Sequence, residues 1–377
     1  MKILISAGEA SGDLYASTLL SAVRNRIPAA DFFGCAGPRL QSEGVRTVVD
    51  AHSLNVVGLV EVVRHIPRIY GEFRKLVKAA EREKPDLAIL TDSPDFHLRL
   101  APKLKAMGIP VVYLIAPQAW AWRKGRLPRM RASIDHLLCI FPFEERFFRN
   151  HAIAATYIGH PLTRIVKPAL TAAAFRLKHG IPADRPIVTL LPGSRPGEIA
   201  RHMPILKAAV ERMPPEPSYL LAIPKQLTKF TQPAGVPSIQ VIEGETWDAI
   251  AHADLALAAS GTVTIEAAIL GTPMVAFYQV SPWSWWMGRY LVDVPFFTMV
   301  NLVAEKRIVP ELIQNQLTPD SLAREAARLL TDGDARREQR LALQQVTRTL
   351  SSDRDPMERA AEIVLGILGK EHVHAGD

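Results

Sequence analysis

Short apolar runs alternate with longer amphipathic segments along this chain. The runs are apolar at nearly every position, which is typical of strands buried on both faces of a parallel sheet. In the first half they predict strands at residues 2–7, 31–35, 87–91, 111–115, 136–141 and 156–159, and helices at 13–24, 69–84, 96–107 and 144–150. The alternation therefore predicts an α/β fold with helices on both faces of a parallel sheet.

The pattern breaks at Gly159-His160-Pro161, and a second series starts after Pro168. It predicts strands at residues 187–191, 218–223, 239–242, 255–258 and 273–278, followed by helices to the C-terminus. The 377 residues are about twice the length of a usual domain. We therefore expect two doubly wound, Rossmann-like domains facing a cleft, at residues 1–165 and 166–345, with a C-terminal helix and polar tail at 346–377.

Positive charge is concentrated in the first half. The chain has 45 Lys and Arg against 38 Asp and Glu, a net charge of +7. Residues 1–165 hold 23 basic and 15 acidic side chains, a net +8, which leaves −1 for residues 166–377. Such an imbalance indicates an anionic partner. The densest stretch contains Arg123, Lys124 and Arg126, and no finger or aromatic RNA-binding pattern accompanies it, so we expect a membrane surface or a phosphorylated substrate rather than nucleic acid. A solvated surface is the alternative.

Few sequence features indicate the cellular compartment of the protein. The two cysteines, Cys35 and Cys139, lie in apolar runs and are expected to pack in the core of a protein from a reducing environment. The apolar run at the N-terminus is too short for a signal peptide. The longest uncharged stretch, residues 267–288, contains Gly271 and Pro273, which argue against a membrane-spanning helix. We expect a cytoplasmic protein.

Ligands of doubly wound sheets bind beyond the carboxyl ends of the strands, so the strand-to-helix turns are the candidate sites. Gly193, Ser194 and Arg195 bring amides, a hydroxyl and a guanidinium to one helix start, which favours phosphate binding over a plain turn. A second turn, between Gly8 and Gly12, matches neither dinucleotide-binding nor P-loop spacing. It is either a close approach to an anion or a structural turn.

Two carboxylates follow other strands. Glu266 lies about one turn after Ser260-Gly261-Thr262, where it would bind ribose hydroxyls or stabilise its own helix start. Asp92 follows the strand at 87–91 and is either a general base or the N-cap of the next helix. No set of His, Asp and Glu has metal-ligand spacing, so we expect no metal and no cofactor.

Two segments are unusually apolar. Residues 54–69, with Val57, Leu59 and Val60, form either a buried helix or an apolar patch that sits in an anionic bilayer. The aromatic residues at 277–297 favour core or subunit-interface packing, with lipid contact as the second interpretation.

Taken together, GEASGD, AGPR, VVGLVEV, DSPDF, APQAWAWR, IGHP, LLPGSR, ASGT with Glu266, and VNL resemble the lipid-A-disaccharide synthase family in order, from Gly8 to about Ile313. The resemblance implies a GT-B glycosyltransferase fold without a required metal. It also implies a reaction between UDP-2,3-diacylglucosamine and 2,3-diacylglucosamine 1-phosphate, which gives the β-1,6-linked disaccharide phosphate and UDP. A peripheral position on the inner face of the inner membrane, and a homodimer that exchanges C-terminal segments, follow as further expectations.

The resemblance also implies residue roles. Asp92 would be the base that activates the acceptor hydroxyl, and Glu9 and Asn301 match catalytic motifs. Donor binding would fall to residues of three turns: Ser11, Gly12, Gly193, Ser194, Arg195, Ser260, Gly261, Thr262 and Glu266. Acceptor or membrane contact would involve Arg123, Lys124, Arg126, Val57, Leu59 and Val60. One rival interpretation is another UDP-sugar enzyme of this architecture, either a glycosyltransferase with a different lipid acceptor or an epimerase. The other is a basic module that binds nucleic acid or a membrane surface without catalysis.

Overall fold

The chain forms two compact units in a computed structural model that describes residues 1–54, 59–121, 123–214, 216–224, 227, 239–281, 285 and 294–374, without the side chains of 59–66 and 370–374. The first domain comprises Met1–Pro161 and Leu350–Asp377, and the second comprises Leu162–Thr349. The chain therefore leaves the first domain once and returns to it.

The first domain is built on a seven-stranded parallel sheet with the order β3-β2-β1-β4-β5-β6-β7. The strands are β1 Lys2–Ala7, β2 Asp31–Ala36, β3 Arg46–Asp50, β4 Leu87–Thr91, β5 Val111–Leu114, β6 His136–Cys139 and β7 Ala155–Tyr157. In register, Ile3 of β1 lies opposite Leu87 of β4. Buried apolar side chains fill the central strands, and both cysteines are buried and free, as predicted.

Helices connect these strands and return the chain across the sheet. They are α1 Ala10–Arg26, α2 Pro38–Ser42, α3 Leu59–Glu83, α4 Pro94–Ala106, α5 Leu127–Ser133 and α6 Pro142–Asn150. Their starts are marked by proline at the first positions of α2, α4, α5 and α6. Proline suits a helix start because the first amides have no partner within the helix.

The second domain repeats the architecture with six strands in the order β10-β9-β8-β11-β12-β13. They are β8 Ile187–Leu191, β9 Ser218–Ile223, β10 Ile239–Glu243, β11 Leu255–Ala259, β12 Met274–Tyr278 and β13 Glu311–Ile313. Its helices are α7 Leu162–Ile165, α8 Ala172–His179, α9 Pro196–Val210, α10 Thr246–Ala251, α11 Thr262–Ile269, α12 Met299–Ala304, α13 Pro319–Thr331 and α14 Gly333–Leu350. The predicted α/β class with parallel sheets is confirmed.

The last helix, α15 Pro356–His374, packs against α1 in the first domain. Arg26 of α1 forms an ion pair with Glu358 of α15 and lies 3.8 Å from Glu362. This helix reaches His374 and so includes much of the polar C-terminal stretch. The edge strands β3 and β13 are also additions to the predicted elements.

Candidate active site

Asp92 lies directly after β4 and is half-buried. Its carboxylate accepts two main-chain hydrogen bonds from the turn between β1 and α1, from Gly8 N to Oδ1 at 2.9 Å and from Glu9 N to Oδ2 at 3.0 Å. The N-cap of α4 is Ser93, which makes no side-chain cap bond. The N-cap interpretation of Asp92 is therefore excluded, since its carboxylate is directed at a different helix from the one that follows it.

The glycines of this turn leave room for that carboxylate. A Cβ atom on Gly12 would lie 1.6 Å from Asp92 Oδ2, and one on Gly8 would lie 2.2 Å from Ser93 Oγ. Heavy atoms do not approach so closely, so a side chain at either position would displace the Asp92 turn. The predicted close approach to an anion is thus made by the protein's own carboxylate. Ser11 lies half-buried in the first turn of α1, beside this contact.

The environment of Asp92 raises its proton affinity. Burial raises the pKa of Asp92 to about 7, against the opposing effect of the amides of Glu9 and Gly8 and the hydroxyl of Ser93. The nearby Glu9 carboxylate adds to the rise. A carboxylate with this pKa exchanges a proton near neutral pH, which is what a general base requires. Glu9 is placed to tune Asp92 through charge.

The basic residues of the predicted acceptor region lie next to this site. Arg123 contacts both oxygens of Asp95, at 2.7 and 3.0 Å, and Arg126 also pairs with Asp95. Asp95 lies in the first turn of α4, three residues after Asp92. Lys124 begins the short helical turn between these arginines. One carboxylate therefore neutralises part of the positive charge of the cluster.

In the second domain, the turn at Gly193 is occupied by a carboxylate from its own helix. Glu198 Oε2 accepts the amides of Ser194 and Arg195 at 3.0 and 3.3 Å, and Tyr278 donates its hydroxyl to Oε1 at 3.3 Å. Gly193 has φ +122°, and a Cβ there would lie 2.6 Å from Glu198 Oε2. These amides therefore complete a helix cap, and Ser194 and the Arg195 guanidinium are exposed.

The turn after β11 is more open. Gly261 and Thr262 are exposed, and among the residues that the structure describes nothing lies within 4 Å of a Cβ built on Gly261. The Ser260 hydroxyl donates to the carbonyl of Phe297 at 3.1 Å. Glu266 is half-buried in α11 and is hydrogen-bonded to the Trp247 side chain of α10. Burial raises the pKa of Glu266 to about 7 and the Trp247 contact opposes this rise.

Asn301, which the sequence predicts to be catalytic, lies in α12 of the second domain. It is fully buried, and its Nδ2 donates to Val309 O at 3.0 Å and to Glu311 Oε1 at 2.8 Å. Its Oδ1 accepts the amides of Ile308 and Val309. Both ends of the amide are thus hydrogen-bonded within the domain and hold the segment from α12 to β13, and the catalytic role of Asn301 stays a prediction.

Some predicted residues lie outside what the structure describes. Val57 is among them, as are Trp283, Trp286 and Tyr290 of the aromatic segment, and the side chains of Leu59 and Val60 in α3 are not described. Within the described ranges, no helix is both long enough and apolar enough to cross a bilayer. The same ranges hold no group of three His, Cys, Asp or Glu side chains arranged for a metal ion.

Sequence comparison decides the family. Residues 3–364 match the Lipid-A-disaccharide synthetase family. The chain is 57% identical over 377 residues to a lipid-A-disaccharide synthase of Solibacter usitatus, with 99% of both chains covered, and 41% identical over 375 residues to one of Myxococcus xanthus, with 97% of both covered. The chain belongs to the lipid-A-disaccharide synthase family. It is therefore a glycosyltransferase, as the sequence motifs predicted.

Solved structures show the same fold at low identity. A UDP-GlcNAc 2-epimerase from Neisseria meningitidis, bound to UDP-GlcNAc, matches with a TM-score of 0.64 at 12% identity, covering 98% of this chain and 100% of the epimerase. A calicheamicin glycosyltransferase matches with a TM-score of 0.61 at 17% identity and 98% coverage of both chains. Both glycosyltransferases and epimerases therefore share the architecture of this family member.

Residues with support roles carry weak sequence signals. Glu198 stands three residues after Arg195, the spacing of a capping box, and could have been recognised from it. Glu144 has the same spacing from Phe141, whose amide it accepts at 3.1 Å. Its contact with Trp120 Nε1 at 3.0 Å and the contact of Trp247 with Glu266 give no such signal, because the partners are distant in sequence.

Proposed function

We propose that this family member transfers the diacylglucosamine unit of UDP-2,3-diacylglucosamine to the 6-hydroxyl of 2,3-diacylglucosamine 1-phosphate. The products are the β-1,6-linked lipid A disaccharide phosphate and UDP. The observation that carries the chemical part of the proposal is the Asp92 carboxylate, held by the start of α1 with a pKa near 7.

The proposed reaction is a single displacement. Asp92 takes the proton of the acceptor 6-hydroxyl, and that oxygen bonds to the anomeric carbon of the donor. The bond from this carbon to the phosphate oxygen breaks, and its electron pair leaves with UDP. Because the donor is α-linked and the product is β-linked, one inversion accounts for the stereochemistry. The acceptor is assigned to the first domain because Asp92 lies there.

Donor binding is assigned to the second domain. Since Glu198 takes the amides of Ser194 and Arg195, we assign the diphosphate to the Arg195 side chain and to the exposed turn at Gly261 and Thr262. A guanidinium and a helix start both stabilise the negative charge that develops on UDP. Ionised Glu266 accepts the ribose hydroxyls. Arg195→Ala is expected to weaken both UDP binding and turnover.

The decisive experiment measures UDP release from UDP-2,3-diacylglucosamine with and without the acceptor, in the presence of EDTA, with the product identified by mass. Release that depends on acceptor and gives a disaccharide supports the proposal. Release or sugar isomerisation without acceptor would instead support an epimerase, the other activity found on this fold. Tight UDP binding without release would reject this acceptor and redirect the search to other lipid or sugar acceptors.

We propose that the protein binds the anionic inner face of the inner membrane through the basic cluster of Arg123, Lys124 and Arg126. The net charge of +8 on residues 1–165 supports this. Asp95 holds two of the arginines, so Asp95→Asn should increase sedimentation with phosphatidylglycerol vesicles and Lys124→Gln should reduce it. Arg212→Gln, which breaks an exposed pair with Asp320 in the second domain, is the control. Unchanged sedimentation of the Lys124 and Asp95 variants would reject the assignment.

We further propose a homodimer in which α15 is the exchanged segment, because this helix packs on α1 after a separate return of the chain. Light scattering coupled to size-exclusion chromatography tests the stoichiometry, and a cross-link between cysteines substituted at Arg26 and Glu358 tests the exchange. A monomeric mass at all concentrations would reject the dimer.

A further inference from the structure

Asp92 has a second set of contacts, made by its main chain. Its backbone is left-handed, with φ +53°, and so is that of Ser93, with φ +36°. Side chains disfavour this conformation, and two consecutive residues in it persist only where the surroundings enforce them. The fold must therefore hold this turn in place.

Two buried side chains donate to the carbonyl oxygen of Asp92. His97, one turn into α4, donates from Nδ1 at 2.9 Å, and Tyr113 of the neighbouring strand β5 donates from its hydroxyl. Both residues are fully buried, and their rings meet edge to face at 6.3 Å. The carboxylate of Asp92 is meanwhile held from the side of α1. The residue is thus fixed at both its side chain and its main chain.

The partners of His97 determine its protonation. A carbonyl oxygen only accepts hydrogen bonds, so the Nδ1 atom facing Asp92 carries the proton. The Nε2 atom lies 2.7 Å from the hydroxyl of Ser6 in β1, which donates to it. Burial lowers the pKa of His97 to about 4, so the ring is neutral at neutral pH. The Asp92 carbonyl therefore selects this tautomer, and Ser6 supports it by donating to Nε2.

We propose that Ser6, His97 and Tyr113 are positioning residues that aim the Asp92 carboxylate by holding its main-chain carbonyl. The proposal rests on Asp92 being the base. Without the two donors, the turn at Asp92 and Ser93 relaxes toward an ordinary backbone conformation, and the carboxylate swings away from the amides of Gly8 and Glu9. A small displacement of the catalytic base from its substrate causes a large loss of reaction rate.

Tyr113→Phe tests this with the least disturbance, because it removes one hydroxyl and keeps the ring. We expect kcat to fall about tenfold, the amount that one such hydrogen bond is worth, with the donor KM and UDP affinity unchanged. Tyr219→Phe is the matched control: Tyr219 is a buried tyrosine of the second domain whose hydroxyl also donates to a carbonyl, that of Pro214. It should leave kcat unchanged.

A pair of His97 variants adds a rescue test. The amide of asparagine in His97→Asn stands near the position of Nδ1 and keeps a donor for Asp92. The longer His97→Gln places its amide near Nε2 instead, facing Ser6. We expect His97→Asn to retain several-fold more kcat than His97→Gln, with both proteins folded by circular dichroism. Equal kcat in the two folded variants would argue for a packing role and overturn the proposal.

The Asp92→Asn background separates this inference from the proposed function. If Asp92 is the base, Asp92→Asn loses turnover and Tyr113→Phe adds no further loss to it. Loss with Asp92→Asn but wild-type kcat with Tyr113→Phe would overturn the positioning role alone. Near-native turnover in Asp92→Asn would reject the base itself, and the positioning role with it.

Discussion

Each domain places a carboxylate on the amides of a turn that leads into a helix, but the two carboxylates come from different distances. Asp92 reaches Gly8 and Glu9 from another strand, 84 and 83 residues away. Glu198 reaches Ser194 and Arg195 from within the same helix start, four and three residues away. The local carboxylate completes the hydrogen bonds of its helix. The Asp92 carboxylate is oriented by the pairing of distant strands. It is not needed to cap its own helix, so it can serve as a base.

Among the variants that test this difference between the two carboxylates, Asp92→Asn should have the largest effect on turnover. We expect kcat to fall about 100- to 1000-fold, because a positioned general base contributes a factor of this order. UDP affinity should stay near the wild-type value, since Asp92 is assigned to the acceptor. Asp86→Asn is the control, because Asp86 also accepts a main-chain amide, that of Lys2 at 2.7 Å, at the opposite end of the sheet. Near-native turnover of a folded Asp92→Asn protein would remove the catalytic half of the comparison.

Gly12→Ala tests whether the turn must remain open for Asp92. The added Cβ would lie 1.6 Å from Asp92 Oδ2, so the carboxylate must move. We expect a loss of kcat of about tenfold to 100-fold, together with a lower melting temperature. Gly366→Ala in α15, where no atom of the described part of the chain lies within 4 Å of the new atom, should retain activity and stability. Equal kcat in the two variants would show that the close approach at Gly12 is irrelevant to turnover.

The pH dependence should report Asp92 directly. Because a base acts only when ionised and the pKa of Asp92 is about 7, kcat should fall about tenfold for each pH unit below 7 and level off above it. The raised pKa also means that the folded state favours the protonated form. The free energy of unfolding should therefore decrease as pH rises from about 4 to about 7. Asp92→Asn should remove the contribution of Asp92 to this pH dependence of the free energy of unfolding. Glu266→Gln should change the donor KM and leave the fall of kcat below pH 7 in place.

Glu198→Ala is the smallest expected effect and probes the local carboxylate. Loss of a helix cap should lower the free energy of unfolding by about 1 kcal/mol, measured by urea denaturation. UDP affinity should be unchanged or higher, because the variant frees two amides for the diphosphate. Glu198→Gln, which keeps an acceptor, should recover most of the stability. A large drop in UDP affinity with intact stability would assign Glu198 to the donor site. Both carboxylates would then serve the reaction directly.

The central strands could be predicted from sequence because they are apolar at nearly every position. The bounds of β1, β4, β8 and β9 agree with the apolar runs. The edge strand β3 was not predicted because it is largely exposed and has charged residues at both ends, Arg46 and Asp50. The strand β13 was not predicted because it is only three residues long. A strand that is buried on both faces has a continuous apolar sequence. An edge strand has no such pattern, and its position depends on the strand that it pairs with.

The candidate site was predictable in its residue types and less so in its contacts. The position of Asp92 after a strand marks it as facing the carboxyl end of the sheet. Its contact with Gly8, and the donors His97 and Tyr113, depend on which strands become neighbours, and no local pattern encodes that. Asn301 shows the same limit: its motif marks it as a polar candidate, but its hydrogen bonds to Val309 O and Ile308 N depend on the fold of its own domain.

The return of α15 to the first domain has a consequence for synthesis. Residues 162–349, which form the second domain, separate the two parts of the first. At a ribosomal rate of about 5–20 residues per second, α1, which ends at Arg26, waits roughly 15–70 seconds for the helix that begins at Pro356. The inserted domain is complete before its host is. A nascent chain halted before residue 356 therefore presents the uncovered surface of α1, and the last twenty residues act as the closing step in the maturation of the first domain.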